Sequence, residues 1–355
     1  MSYIGRQLNL PASTVQLTAE GAITAGKPCI IEADGDVAQV ATSAAASGTA
    51  VVFESASLVD TSVAYDSNAQ KVVISYNDAG NSYYGTAIVG TVDPSDNSIS
   101  YGTAVVFESA STSPIKSTFD SSNNKIVIAY NDGGNSYYGT AIVGTVSGTS
   151  ISFGSAAVFE FAQTVQISIA YDANAGKVVL AYRDNGNSFY GTSIVGTVSG
   201  TSISFGTAVV FESAATEYTA IAYDSNAQKV VIAYEDDANS DYGTAIVGTV
   251  SGTSISFGSA AVFESAAVEY TSVAYDANAQ KVVIAYQDEG NSSHGTAVVG
   301  TVSGTSISFG SAVVFESARA DYINAVYDSN AQKVVIAYKD DANSGKVTVA
   351  EGTVS

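Results

Sequence analysis

The chain predicts an all-β fold made by repetition, and three observations carry that prediction. First, the phrase Gly-Thr-Ala-Val-Val-Phe-Glu-Ser-Ala, with small changes, starts at Gly48, Gly102, Gly154, Gly206, Gly258 and Gly310, a spacing of 54 and then 52 residues. Second, the segments between these phrases alternate apolar and polar residues, and none carries a helical stripe or a helix cap. Third, the breaks between segments are short and rich in Asp, Asn, Ser and Gly, the residues of tight turns. A period of roughly 40–50 residues made of short strands marks a β-propeller or a related array. The expected architecture is a six-bladed β-propeller of four-stranded antiparallel blades, with an open β-solenoid as the alternative.

The copy between Thr219 and Ser265 shows the reasoning for each element. Thr219 to Asp224 alternates and reads as the first strand. Ser225 to Gln228 is a turn, with Asp224 and Asn226 able to bond nearby backbone. Lys229 to Tyr234 is β-branched and reads as the second strand. A polar loop from Glu235 to Asp241 follows, and Tyr242 to Val250 is the third strand. Ser251-Gly252 makes a hairpin, and Ser254 to Phe257, continuing into Ala261 to Phe263, is the fourth. First strands are expected near residues 61, 116, 167, 219, 271 and 323. Small residues such as Ala64, Ala170, Ala222 and Ala274 suit a crowded innermost strand.

The two ends of the chain suggest how the ring closes. Lys346 to Ser355 matches a third strand with no fourth behind it, whereas Gly48 to Ser55 is a fourth strand with no blade before it. A strand near residues 37–55 is therefore expected to complete the last blade and leave no long unpaired edge. This divides the chain into a small N-terminal β segment, residues 1–36, and a propeller, residues 37–355.

Composition removes several function classes. The 355 residues include Lys+Arg 13 and Asp+Glu 34, for a net charge of −21. Such a surface repels phosphate backbones and anionic lipid, so neither nucleic acid nor membrane is an expected partner. Cys29 is the single cysteine and His294 the single histidine, and Trp is absent. That leaves no disulfide framework, no Cys/His zinc set and no nucleophile motif near His294. No cofactor and no metal is expected. The start, Met1 to Ser13, lacks the basic and apolar runs of a secretory signal.

Comparison among the copies locates the candidate site. First-to-second turns barely vary, and third-to-fourth hairpins are uniform from the second blade onward. The fourth-to-first passages read SLVD, STSPIK, QTVQ, ATEY, AVEY and RADY, and the second-to-third loops also diverge. Variable loops on a rigid scaffold suit recognition, although solvent-exposed tips also drift. Glu217-Tyr218, Glu269-Tyr270 and Asp321-Tyr322 fall at equivalent places, with Arg319 beside the last. Aromatic faces stack on sugars and carboxylates accept hydroxyl protons, so this arc is the candidate ligand surface. The same tyrosines could instead pack between blades. Asp78, Asp132, Asp184, Asp236, Asp288 and Asp340 recur in the second-to-third loops, each with an Asn three residues on. Their identical placement fits a loop-closing Asx turn better than six cation sites.

Catalysis is poorly provided for, and no catalytic residue is expected. Glu217 with Glu269 could form a glycosidase carboxylate pair. The blade plan resembles sialidase-type propellers, yet the hairpin where those carry an Asp-box reads Val-Ser-Gly-Thr-Ser-Ile-Ser, and only Arg183 and Arg319 could supply their arginines. Met1-Ser-Tyr-Ile-Gly5 and Gly21-Ala-Ile-Thr-Ala-Gly26 resemble the starts of virion proteins of marine tailed phages. That resemblance implies a non-enzymatic virion component, made in the host cytoplasm, docked to capsid or tail and displaying a propeller. Its implied partners are other virion proteins and host-surface glycans. A secreted bacterial lectin or adhesin is the alternative, and a glycan-cleaving propeller a further one.

Overall fold

The computed structural model describes Cys29–Ile31, Val37–Gln39 and residues 50–354. The chain divides into two compact units, Met1–Thr49 and Ala50–Ser355. In the first, Cys29–Ile31 and Val37–Gln39 form an antiparallel pair with Cys29 opposite Gln39. The closing strand expected over residues 37–55 therefore loses its first residues to a local hairpin, whose short loop makes pairing cheap in entropy. Residues 40–49 of that expected strand lie outside the described residues.

The second unit is antiparallel β-sheet, and the only helical pieces among the described residues are four 3-10 turns. Its copies are numbered here by their second strands: Lys71–Asp78, Lys125–Asp132, Lys177–Asp184, Lys229–Asp236, Lys281–Asp288 and Lys333–Asp340. In copy four, Val209–Asp224 is one strand of 16 residues that serves two sheets. Its first half pairs with Tyr190–Ser199 of copy three, in line with Ser202–Phe205, which pairs with the other end of that strand. Its second half, from Thr216, pairs with Lys229–Asp236, which pairs in turn with Tyr242–Ser251.

This arrangement corrects one expectation. From copy two onward the fourth-to-first passages are not loops but continuous strand. The register steps from Glu217↔Glu235 to Ala220↔Ala233, three residues against two. A β-bulge absorbs the extra residue and lets one strand turn from one sheet into the next without losing its backbone pairing.

Burial explains why the copies hold together. Val230, Val231, Ile232, Ala233 and Tyr234 are all fully buried, because an inner second strand is covered on both faces. Five of the six apolar clusters span two consecutive copies: Val179, Ala181 and Val195 of one pack with Ile221, Ile232 and Tyr234 of the next. Phe211 lies against Tyr234 and Phe257, with ring centroids 5.2 and 5.8 Å away. Burying such a side chain is worth about 1.5–3 kcal/mol. The Tyr234 hydroxyl donates to Glu212 Oε2 at 3.2 Å, and Tyr130, Tyr182, Tyr286 and Tyr338 repeat that bond with Glu108, Glu160, Glu264 and Glu316. Asp224 Oδ1 accepts from the Asn226 and Ala227 amides, and the Tyr275 hydroxyl of the next copy accepts from Asn226 N at 3.2 Å. Turn and seam are thus tied together.

The two ends of the array lack these neighbours. Val63 in the first copy is 62% exposed, whereas its counterpart Ile221 is 7% exposed. Lys346–Gly352 pairs with Lys333–Asp340 on one side, and no fourth strand follows it among the described residues. Ala50 to Ser57 form no strand. Phe53 nevertheless contacts Tyr76 and Tyr101 at 5.3 and 5.6 Å, as Phe107 contacts Tyr130 and Phe153 at 5.2 and 5.6 Å. The segment therefore sits against copy one where a preceding copy's fourth strand would lie.

Candidate functional site

Register gathers the variable residues at one end of the sheets. Thr216 stands opposite Asp236, and Asp236 opposite Tyr242, so bulges and second-to-third turns share an end. Asp224↔Lys229 and Ser251↔Ser254 put the invariant turns at the other. The second-to-third turns are closed by their recurrent aspartates: Asp184 Oδ1 accepts from Gly186 N and Asn187 N, and Asp132 Oδ1 from Gly134 N. The Asx-turn reading of that Asp series fits these contacts.

The bulge presents one side chain per copy: Asp60, Pro114, Gln166, Tyr218, Tyr270 and Tyr322 in order. Gln166, Tyr218, Tyr270 and Tyr322 hold φ of 53, 48, 49 and 52°. Left-handed backbone at a non-glycine residue costs on the order of 1–3 kcal/mol and concentrates at functional sites. Three of these strained positions carry tyrosines that form a ladder. Tyr218 and Tyr270 lie 5.4 Å apart between ring centroids, and Tyr270 and Tyr322 lie 5.0 Å apart, both pairs tilted. The packing alternative is thus true in part, but Tyr322 remains 68% exposed and ends the ladder with an open face.

Beside the ladder runs a row of polar slots, the second-to-last residue of each second strand: Asn77, Asn131, Arg183, Glu235, Gln287 and Lys339. Four of these donate to the following copy. Asn77 Nδ2 reaches the Thr112 carbonyl at 2.5 Å and Asn131 Nδ2 the Thr164 carbonyl at 2.6 Å. Arg183 pairs with Glu217, and its guanidinium lies 4.5 Å from the Phe189 ring. Gln287 Nε2 donates to the Ala320 carbonyl at 2.7 Å and to Asp321 Oδ1 at 2.9 Å. Lys339 turns to its own copy and meets Asp321 Oδ2 at 2.8 Å.

Glu235 is the exception, an acid where its counterparts are donors. Burial, then the charges of Asp241, Glu217, Glu269 and Asp237, push its carboxyl up to about 8. Carboxylate oxygens of Glu235, Asp237 and Asp241 lie within 4.8 Å of one another. Hard cations favour such groupings, but surface acids also cluster without one, and the spacing alone assigns no ion.

The structure brings the sequence-derived candidates together on one arc. Glu217 is held by Arg183 and accepts from Gln166 Nε2 at 3.1 Å. Glu269 faces Gln287 across its own sheet and has no hydrogen-bond partner among the described residues. Asp321 is bound by Arg319 Nε at 2.8 Å and by Lys339. Burial pushes Asp321 up, but those bonds and that from Gln287 outweigh it and hold the carboxyl below its ordinary value. Burial, with the neighbouring carboxylates, raises the Tyr218 phenol.

Sequence reasoning missed a second aromatic set. Tyr83, Tyr137 and Phe189 occupy the end of the second-to-third turn in copies one to three, with φ of 63, 61 and 66°, and each is exposed. Copies four to six carry Asp241, Ser293 and Gly345 there. The aromatic residue thus moves from turn to bulge between the two halves of the array. The signal was present in the aligned loop strings, NSYYG and NSFYG against NSDYG.

No family model matches the chain, and no curated protein matches it in sequence. In structure it is similar to a lectin from Burkholderia pseudomallei, at 10% identity over 82% of this chain and 81% of that one, with a TM-score of 0.60. It is also similar to the periplasmic gluconolactonase PpgL of Pseudomonas aeruginosa, at 11% identity over 83% and 85%, TM-score 0.54. A third similar structure is a mutant of AofleA from Arthrobotrys oligospora, at 8% identity over 83% of each chain, TM-score 0.51. At such identities the likeness concerns fold alone, and the fold is β-propeller-like, all antiparallel and built of tandem repeats.

Proposed function

We propose that this chain is a non-catalytic, six-bladed propeller that binds carbohydrate on the face bearing the Tyr218–Tyr270–Tyr322 ladder. The observation that carries the reading is that ladder: tyrosines on strained bulges, flanked by acids and ending in an open ring. Ring faces offer sugars stacking surface, and flanking acceptors and donors orient their hydroxyls. The similarity in fold to a lectin and to a gluconolactonase agrees with a carbohydrate ligand. A non-catalytic role is supported by the engagement of the acids. Glu217 is neutralised by Arg183, and Asp321 by Arg319 and Lys339. In the closed ring, the segment around Val51 and Val52 supplies the missing fourth strand beside Lys346–Gly352.

Glycan-array binding of the full chain tests the reading. Tyr270→Ala, which removes the central ring, should weaken binding by about fivefold or more, as losing one stacking contact of roughly 1–3 kcal/mol requires. Unchanged binding by Tyr218→Ala and Tyr270→Ala would end it. Hydrolysis of a bound glycan that is lost in Glu217→Gln or Glu269→Gln would favour an enzyme instead.

The virion address rests on the phrases around Met1 to Gly5 and Gly21 to Gly26, with capsid or tail proteins as docking partners. Immunogold labelling of purified phage particles tests it. Label at a fixed place on the particle supports a virion protein, and clean particles favour a free lectin or adhesin.

A further inference from the structure

The joint between copies four and five departs from its neighbours in one atom type. At four joints the slot residue offers a donor to the next copy: Asn77 and Asn131 to a carbonyl, Arg183 to Glu217, Gln287 to both the Ala320 carbonyl and Asp321. Repeat equivalence gives Glu235 the same two targets, the Val268 carbonyl and the Glu269 carboxylate. Both targets are acceptors, and an ionised Glu235 has no hydrogen to give either. A protonated carboxyl matches the shape and donor of the Gln287 amide. We propose that this joint is closed by a proton on Glu235, which donates to the Val268 carbonyl beside Glu269, so that pH orders or opens the surface between Tyr218 and Tyr270. The inference concerns regulation of the binding face and rests on that reading for its biological meaning.

The surroundings favour the proton. Glu217 faces Glu235 across the sheet, Glu269 faces it from the next copy, and Asp237 and Asp241 face it from the turn. Arg183 answers only one of these acids, Glu217. Tyr218 stands beside them with its phenol neutral, since burial and these acids raise it. Ionising Glu235 adds a charge to this group with no cation to meet it, whereas at the next joint Asp321 has Arg319 and Lys339. The sign follows. Glu235 sits at about 8, against an ordinary value of 4.5. Across that window the folded chain keeps a proton that the unfolded chain has released, so the joint weakens as pH rises.

The test uses the ligand-free full chain, labelled with 13C at glutamate carboxyls and titrated from about pH 5 to 9.5. Tyrosine near-ultraviolet circular dichroism is followed in parallel. The expected result is one carboxyl titrating near pH 8, with a tyrosine signal change at the same midpoint. Both should vanish in Glu235→Gln, whose amide donates at every pH. In Glu269→Gln the midpoint should fall, because one facing charge is gone. A chain with no carboxyl titrating above about pH 6, or a tyrosine transition retained in Glu235→Gln, would overturn the proposal. Because no ligand is present, failure of the glycan-array test leaves this result untouched, and the two readings fail separately.

Discussion

Replacing Gly206 by Ala should force apart the joint between copies three and four, and Gly310→Ala is a control supplied by the repeat itself. A Cβ at Gly206 would fall 1.8 Å from the Thr253 carbonyl oxygen of the next copy. Ordinary contact begins near 3.4 Å, so the two backbones must separate by 3.4 − 1.8, about 1.6 Å. Neither can turn aside. Gly206 N is bonded to the Val195 carbonyl at 2.9 Å, and Thr253 sits inside the hairpin that pairs Ser251 with Ser254. Overpacking costs about 1–3 kcal/mol, and a clash between two backbones belongs at the upper end. Melting shifts by roughly 2 °C per kcal/mol in a body of this size, so a loss of about 6 °C is expected. Gly310 makes the same bond to Val299, at 2.9 Å, but a Cβ there would meet nothing nearer than that same Val299 oxygen, 3.8 Å away, because copy six offers no third-to-fourth hairpin among the described residues. Gly310→Ala should therefore melt within about 1 °C of the parent. Thermal unfolding by circular dichroism at one pH decides the matter. Equal melting of the two variants would refute the claim that these glycines exist to let neighbouring copies touch.

Three further outcomes are expected. Tyr234→Phe leaves the ring but removes the donor to Glu212, and should lower stability by about 1 kcal/mol in a denaturant titration. With Glu212→Ala already in place, the same change should cost measurably less, because the partners share one bond. Parent stability should fall as pH rises from about 4.5 to about 8 and then level, and Glu235→Gln should flatten that slope. Deleting residues 1–55 removes Phe53 from Tyr76 and Tyr101 and the strand proposed to close the ring. Aggregation or a lower melting temperature is expected, and an unchanged monomer would count against closure.

Much of the fold was legible because the chain prints it six times. Runs such as Lys229 to Tyr234 are apolar and β-branched in every copy, and the Asp-Ser-Asn-Ala-Gln turn recurs at 66, 224 and 328, with near copies at 172 and 276. The bulge was not legible. Ala-Thr-Glu-Tyr reads as a polar loop, and only the register step at Glu217 shows that its backbone stays paired. The arc of Tyr218, Tyr270 and Tyr322 could be named from repeat position, but ring contacts of 5.0 and 5.4 Å depend on a curvature no single copy encodes. The Arg183–Glu217 pair was hidden for a similar reason. Its partners lie in different copies, 34 residues apart, and meet only because a second-strand end abuts the next bulge.

That offset also explains why the slot series is informative. Six copies share one backbone, so an unequal side chain at an equal position acts as a substitution experiment already performed. Where the bulge partner is apolar or small, as at Ser113 and Val165, an asparagine from the preceding copy spans to the carbonyl. Where the partner becomes Glu217 or Asp321, the slot becomes Arg183 or Gln287, and the charge or lone pair is met. Each change in the bulge is matched by a change 34 residues earlier, except at Glu269, where the slot is another acid. Random drift at an exposed tip would not keep three kinds of partner matched across the joints. The one mismatched joint falls between the first two rings of the tyrosine ladder, where a movable seam would alter the binding face most.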